Sequence, residues 1–419
     1  MAFDLILRAA QRDEPGRGTV DIGVRDGRIA AIAPDLPGDG PEEQLGGRLV
    51  LPGLVETHIH LDKSCLNGRC ACREGTLGEA VRLVADAKRD FSEADVYARA
   101  ARTLERAILH GTTRMRTHVE VDPRIGLTSL HALRQLRRDY AWAIDITLCA
   151  FPQEGLLDDP GCEAVLIAAL EAGAEVIGGA PYMDRDPHGQ IARIFALAER
   201  FDVDIDLHLD FALDPSRLDI EEVCRLTEAT GRGGRVTVGH VSKLAALSPP
   251  RLAAIAARLA DVGVAVTVLP ATDLFLMGRE HDHAVPRGVA PAHRLRTHGV
   301  TCSLSTNNVL NPFTPFGDCS LIRIANLYAN VAQIGTADGM AACLDMVSTE
   351  AARLLNLRDY GIATGNPADL VVFDCDAKAT AVAELAPAVM GFKAGRRSFT
   401  RPAAMLNRPP GARRVMPPP

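Results

Sequence analysis

Runs of lysine and arginine are missing from the body of this 419-residue chain, and its formal net charge is −7. That balance leaves no electrostatic case for a nucleic-acid partner. No stretch approaches the roughly 20 consecutive apolar residues of a membrane span. The first residues, Met1 to Arg8, carry an early acid at Asp4 and no long apolar core, so no secretory leader is expected. The ten cysteines include no C-x-x-C pair. Scattered thiols in a large chain suit a reducing, cytoplasmic location better than a disulfide framework. Aromatic residues are few, at 4%, but 47% hydrophobic and 24% charged residues are ordinary for a globular enzyme-sized chain.

What is present is a strongly patterned middle. Strand-like segments at Leu49–Leu61, Thr113–Val119, Ala143–Ala150, Glu175–Ala180, Val203–Leu209, Arg235–Val241, Val264–Pro270 and Val300–Ser305 alternate with helical ones. The helical stretches, such as Ala94–His110, Gly161–Ala172, Gln190–Phe201, Ile220–Thr230 and Pro250–Val262, are rich in Ala, Leu, Arg and Glu. Alternating β and α units imply a parallel sheet, and about eight of them over about 310 residues match a (β/α)8 TIM barrel. A doubly wound open sheet is the alternative, but the glycine-rich phosphate turn it usually carries is missing. Short strands with turn signals occupy both ends of the chain. They run over Asp4–Ala9, Thr19–Arg25 and Arg28–Ala33, then over Asn366–Asp374 and Ala388–Lys393. Neither end can build a core alone, so a small β-sandwich formed by both termini is expected. The expected division is 1–50 plus 365–407 for the sandwich and 51–364 for the barrel. A Pro- and Arg-rich tail at 408–419 is expected to be disordered.

Barrel chemistry sits at the carboxyl ends of the strands. The first strand ends in His58-Ile59-His60, and the alternation of strand side chains puts both imidazoles on one face. The fifth ends in Asp206-Leu207-His208-Leu209-Asp210 and the sixth in Gly239-His240. Neutral imidazole is the commonest protein metal ligand, which makes a metal-dependent enzyme the leading idea. His110, His131, His188, His293 and His298 fall on helices or loops, where surface or capping roles suffice. His118 stays open between a partner of a metal ligand and a packed histidine. Cys65, Cys70 and Cys72 read as incidental thiols in a loop, with a second metal site as the alternative.

Leu51–Asp62, His110-Gly111-Thr112-Thr113 with Thr117–Glu120, Cys149–Gly155, Asp206–Asp210, the His240 strand, Asn311-Pro312-Phe313, Thr349–Ala352 with Leu355–Ile362, and Gly365–Leu370 together resemble the amidohydrolase superfamily. Within it, they are similar to the branch of cytosine deaminase and N-isopropylammelide aminohydrolase. The resemblance covers nearly the whole chain and implies the barrel with its sandwich. It implies one divalent ion (zinc, iron or manganese) on His58, His60 and His208, with His240 as a further ligand or as partner of the attacking water. It implies a small nitrogen heterocycle as substrate, with Gln153 reading a ring carbonyl and N–H, Phe313 walling the site, and a homo-oligomeric assembly. A side-chain amide suits the Gln153 task because it both donates and accepts.

Two departures qualify this. Relatives end strand eight with an aspartate that binds metal and takes a proton from water; here that position is Asn307, followed by Asn308. Relatives also place a proton-shuttling glutamate three residues after the strand-five histidine; here that position is Phe211. Asparagine accepts no proton, and a positioned acid or base contributes about 10²–10⁴-fold. Replacements for the relay are sought in His240, Asp210, Asp62 and Glu120. Asp184 and Asp186 read as solvated loop acids, and Lys63 as solvated or salt-bridged, with substrate contact as its alternative. Asn307 and Asn308 have the further reading of caps on the loop at Asn311-Pro312. Two functions therefore compete. One is a hydrolase of a heterocycle C–N bond with an altered relay, its Phe211 favouring a less polar substrate. The other keeps the fold for lyase or isomerase chemistry, or for ligand binding without turnover.

Overall fold

The computed structural model describes residues 2–12 and 18–407, so the tail at 408–419 lies outside the described residues. The N-terminal strands are β1 (Leu5–Ala10), β2 (Val20–Arg25), β3 (Arg28–Ala33), β4 (Glu42–Gln44) and β5 (Leu49–Pro52). The central ones are β6 (Leu54–Ile59), β7 (Thr112–Glu120), β8 (Asp145–Phe151), β9 (Val176–Gly179), β10 (Asp204–Leu209), β11 (Val236–His240), β12 (Val264–Val268) and β13 (Cys302–Leu304). The chain closes with β14 (Leu370–Phe373), β15 (Ala388–Lys393) and β16 (Arg396–Thr400).

Strands β6 to β13 pair in parallel and in chain order. Closure between β13 and β6 excludes the open-sheet alternative. His60 N–H donates to the Asn307 carbonyl at 2.8 Å, and Asn307 N–H to that of His58 at 2.9 Å. Below this bridge, Thr57 Oγ1 bonds the hydroxyls of Ser303 at 2.8 Å and Ser305 at 2.6 Å. Hydroxyls therefore seal the seam where β13 is too short to continue a ladder. The surrounding helices bury apolar stripes at helical spacing. The helix Glu93–Leu109 buries Val96, Ala100, Leu104, Ala107 and Ile108, and Ser92 caps it by accepting from Asp95 N–H at 3.2 Å. Among the described residues, no helix is long and apolar enough to cross a membrane.

Two four-stranded sheets, β3-β2-β1-β4 and β16-β15-β14-β5, face each other at the ends of the chain. Leu7, Ile22 and Val24 from one mesh with Val50, Leu370, Val372 and Phe392 from the other. The single strand expected over Leu49–Leu61 is in fact two. Leu49–Pro52 pairs with β14, and only Leu54–Ile59 joins the barrel. Gly53 makes the switch possible: a Cβ there would lie 2.1 Å from Thr113 Oγ1, and Tyr360 O–H clamps its carbonyl at 2.8 Å. Two strands were missed, β4 and β16. The second pairs with β15 across the two-residue turn Ala394-Gly395, both residues at positive φ.

Candidate active site

The strand ends bring the expected histidines together. His58, His60 and His208 are essentially inaccessible to solvent, and the His208 Nε2 lies 3.1 Å from the Nε2 of each of the other two. Burial is the largest influence on all three, helped by neighbouring positive groups. It holds His58 down to about 3 and His60 and His208 well below the usual imidazole value. The rings are therefore neutral, with lone pairs available. Each Nδ1 has no hydrogen-bond partner among the described residues. Two nitrogens bound to one tetrahedral ion at about 2.0–2.1 Å sit about 3.3 Å apart, close to the separation of His208 from each of the other two, so His208 with either partner fits a divalent ion.

Behind His58 stand residues that the sequence reading left open or missed. His118 stacks on His58 with centroids 3.8 Å apart, and among the described residues it is His118, not His60, that joins His58 and His208 in a group whose ligand atoms all lie within 4.8 Å of one another. Asp206 places Oδ1 3.7 Å from His58 Nδ1 and 3.6 Å from His118 Nε2, and accepts from Arg116 Nη1 at 3.1 Å. Burial opposes its charge, but the two imidazoles beside it hold its carboxyl far below the usual range. A carboxylate behind a ligating imidazole fixes the ring and raises its basicity. Asp206 could have been found, since it shares the strand face of His208 two residues on.

His240 stands apart from the trio, its ring centre 5.5 Å from that of His208 and 6.1 Å from that of His58. Its Nδ1 lies 2.7 Å from Asp273 Oδ1, and the Phe211 ring packs 4.0 Å from it. Asp273 is fully buried in the helix Pro270–Leu276 and was not anticipated. Burial raises its carboxyl, against the pull of His240.

A small cavity of about 10 Å3, roughly one water by its accessible core, opens between His60, His208 and His240. Gln153, Asn307, Asn308, Phe211 and Phe313 all line it, as expected, together with Lys63, Tyr182, Thr272 and Leu77. Asn307 sits at φ +63 and leaves both side-chain amide atoms without a partner among the described residues. Asn308 accepts from Asn311 Nδ2 at 2.8 Å, so the loop-capping alternative holds for Asn308 and not for Asn307. Above the cavity, Leu66, Val84, Leu276 and Met277 join Phe211 and Phe313 in an apolar roof carried partly by the helix Leu77–Ala87.

Several candidates belong elsewhere. Asp210 does not reach the cavity. Its backbone turns to φ +48 directly after β10, and its carboxylate accepts from Asp219 and Ile220 N–H at 3.0 Å each. It thereby caps the helix Ile220–Ala229, paired with Lys243 Nζ at 3.0 Å. Asp62 accepts from the N–H of Lys63 at 2.9 Å and of Glu120 at 2.8 Å, a loop clamp rather than a free base. Asp184 is not solvated: it is buried and accepts from Leu156, Leu157 and Asp158 N–H at 3.0, 3.0 and 3.1 Å, fixing the loop after Gln153. Asp186 caps the helix Pro187–Phe201. Cys65 contacts Thr103 Oγ1, Cys70 faces the Leu83 carbonyl and Cys72 is exposed, so these thiols form no cluster.

Lys63 is not solvated either. Fully buried, its Nζ donates to Glu120 Oε1 at 2.7 Å and Gln153 Oε1 at 2.9 Å, and lies 4.2 Å from the centre of the Phe313 ring. A second buried lysine, Lys88, continues the chain by donating to Glu120 Oε2 at 3.0 Å and Glu154 Oε1 at 2.6 Å. Burial works against the Lys88 charge, but Glu120, Glu154 and Asp122 raise its pKa above the ordinary lysine value. Glu120, despite its own burial, is held down to about 2 by the two ammonium groups.

Comparison with known proteins places this architecture. Residues 146–399 match the model of the amidohydrolase family. The chain is 30% identical over 362 residues to a pterin deaminase from Rhizobium rhizogenes, covering 84% of this chain and 82% of that one. It is 27% identical over 411 residues to N-isopropylammelide isopropyl amidohydrolase from Pseudomonas sp., covering 94% and 96%. The solved 5-methylcytosine deaminase from Klebsiella pneumoniae, liganded with 5-fluorocytosine, superposes with a TM-score of 0.92 at 26% identity, over 96% of this chain and 99% of that one. The chain belongs to the amidohydrolase family, and within that superfamily it is a hydrolase.

Proposed function

We propose that this protein uses one divalent metal ion, zinc, iron or manganese, to hydrolyse a C–N bond of a small nitrogen heterocycle related to cytosine, a triazine or a pterin. The observation that carries this reading is that His208 Nε2 lies 3.1 Å from the Nε2 of both His58 and His60, three buried, neutral imidazoles of which His60 and His208 line a polar-and-aromatic cavity. A bound divalent ion lowers the pKa of its water from about 15.7 toward 7. The chain's own residues do the rest. Lys63 engages the Gln153 carbonyl, which leaves the Gln153 amide N–H groups for a ring carbonyl, and its buried ammonium favours a ring oxygen carrying negative charge. The unpartnered Asn307 amide offers a donor and an acceptor to the substrate or the water beside it. Phe211, Phe313 and Tyr182 exclude water and accept an apolar ring substituent. Entry of a ring into a cavity of about 10 Å3 requires the roof around Leu77 to move.

Metal analysis of purified protein, followed by ammonia and amine release from a panel of pyrimidines, triazines, pterins and cyclic ureas, tests this. About one metal per chain with turnover of one ring class supports it. A protein that binds no divalent ion, or that binds one and hydrolyses no member, overturns the hydrolase reading. The latter result favours ligand binding without turnover, for which the paired absence of acids at Asn307 and Phe211 speaks. The homo-oligomer implied by the relatives is checked by light scattering on the same preparation.

A further inference from the structure

We infer that Asp273 is the positioning residue of the proton relay, holding His240 with its proton on Nδ1 so that the Nε2 lone pair faces the cavity. This rests on the hydrolase reading and supplies what that reading lacks, a substitute for the carboxylates absent at Asn307 and Phe211. The geometry is built from three elements. His240 ends β11, Asp273 comes from the helix Pro270–Leu276, and Phe211 follows β10. Asp273 Oδ1 lies 2.7 Å from His240 Nδ1, while Oδ2 has no partner among the described residues. A carboxylate wholly out of water with a single side-chain contact is costly unless it has work to do on its partner. The backbone points the same way. His240 at φ +67 and the β-branched Val241 at φ +43 occupy left-handed conformations that side chains disfavour, and such strain is kept where it aims a functional group. Phe211 packs against the ring at 4.0 Å and closes off alternative orientations. A free neutral imidazole populates both tautomers; one whose Nδ1 faces a carboxylate oxygen must carry its proton there.

The step then balances without a carboxylate at Asn307. His240 Nε2 takes a proton from the attacking water as that oxygen bonds to the ring carbon. The electron pair of the breaking C–N bond goes to the leaving nitrogen, which receives the proton back from Nε2–H. Asp273 stays ionised throughout and neither gains nor loses a proton. The net change is one water consumed and one amine or ammonia released.

The test uses full-length, zinc-loaded protein labelled with ¹⁵N-histidine, with the His240 signals assigned by comparison with His240→Gln. The wild type is expected to show the Nδ1–H tautomer. Asp273→Asn, whose amide donates to Nδ1, is expected to show Nε2–H, with zinc content unchanged. With a substrate from the panel, Asp273→Asn should lose about 10²–10⁴-fold in kcat with KM within about threefold. Asp273→Glu should recover part of the rate. A wild-type His240 in the Nε2–H form, or an Asp273→Asn enzyme with wild-type kcat, overturns the assignment. The tautomer readout needs no substrate, so a protein that turns over nothing sinks the hydrolase reading while the spectrum alone still decides Asp273. If Asp273→Asn or Asp273→Ala loses zinc or unfolds, the spectrum of the wild type remains decisive.

Discussion

Two buried clusters beside one cavity meet the same problem in opposite ways. At the ends of β6 and β10, His58, His60 and His208 are buried and neutral; at the end of β7, Glu120 and the lysines that reach it, Lys63 from the loop after β6 and Lys88 from the turn after the helix Leu77–Ala87, are as deeply buried and charged. Burial penalises charge in both. The difference lies in partners: each lysine faces carboxylate oxygens at 2.5–3.0 Å, whereas the imidazoles face mainly one another. Depth alone therefore predicts neither protonation state. An uncompensated cluster of neutral bases is a place for an added cation, and a compensated cluster is a scaffold for a fixed positive charge at the substrate.

The contrast can be probed from its strongest element down. His208→Ala removes the nitrogen shared by both close pairs and is expected to abolish stoichiometric metal binding, read by elemental analysis, with thermal stability of the metal-free protein little changed. Lys88→Met does the converse. It strands Glu120, Asp122 and Glu154 without their shared cation and should cost about 3–5 kcal/mol in urea unfolding, with metal content preserved if the protein folds.

Acidification acts on both clusters. Between pH 4.5 and 3, His58 (folded value about 3, ordinary value 6.5) and Glu120 (about 2, ordinary value 4.5) both bind more protons when unfolded than folded. Stability of the chelator-treated protein must then fall as pH falls, with His58 alone giving up about 2 kcal/mol over that window. Glu56 and Glu154, raised to about 7 chiefly by burial, act in the opposite sense only between about pH 4.5 and 7. A flat stability profile below pH 4.5 would contradict neutral imidazoles. The smallest effect is Asn307→Asp. A carboxylate beside the trio should tighten metal binding by about tenfold, measured by competition with a chromophoric chelator. No gain would mean that this side chain does not reach the ion.

Much of the site was legible because strand alternation is strict while a strand lasts. That rule put His58 with His60, and it placed His208 and His240 at the right ends of the right strands. It failed where the strand ended. Asp210 shares the two-residue spacing with His208, yet its φ of +48 breaks the alternation and sends its carboxylate to a helix N-terminus. Gly53 interrupts Leu49–Leu61 for a similar reason, since close approach to Thr113 lets the chain change sheets in mid-run. Lys88 and Asp273 were invisible because nothing in their local sequence distinguishes them from ordinary helical or loop charges. They matter only through groups 32 and 33 residues away.

Periodicity and residue type by themselves determined the barrel, the paired terminal sheets and the four strand-end histidines, because each is a consequence of local backbone geometry repeated along the chain. Only the tertiary structure decided which of the buried ionisable groups carry charge and which imidazole faces a carboxylate. Those outcomes depend on distances of 2.6–3.7 Å between side chains far apart in sequence, where desolvation and pairing nearly cancel and small displacements choose the winner.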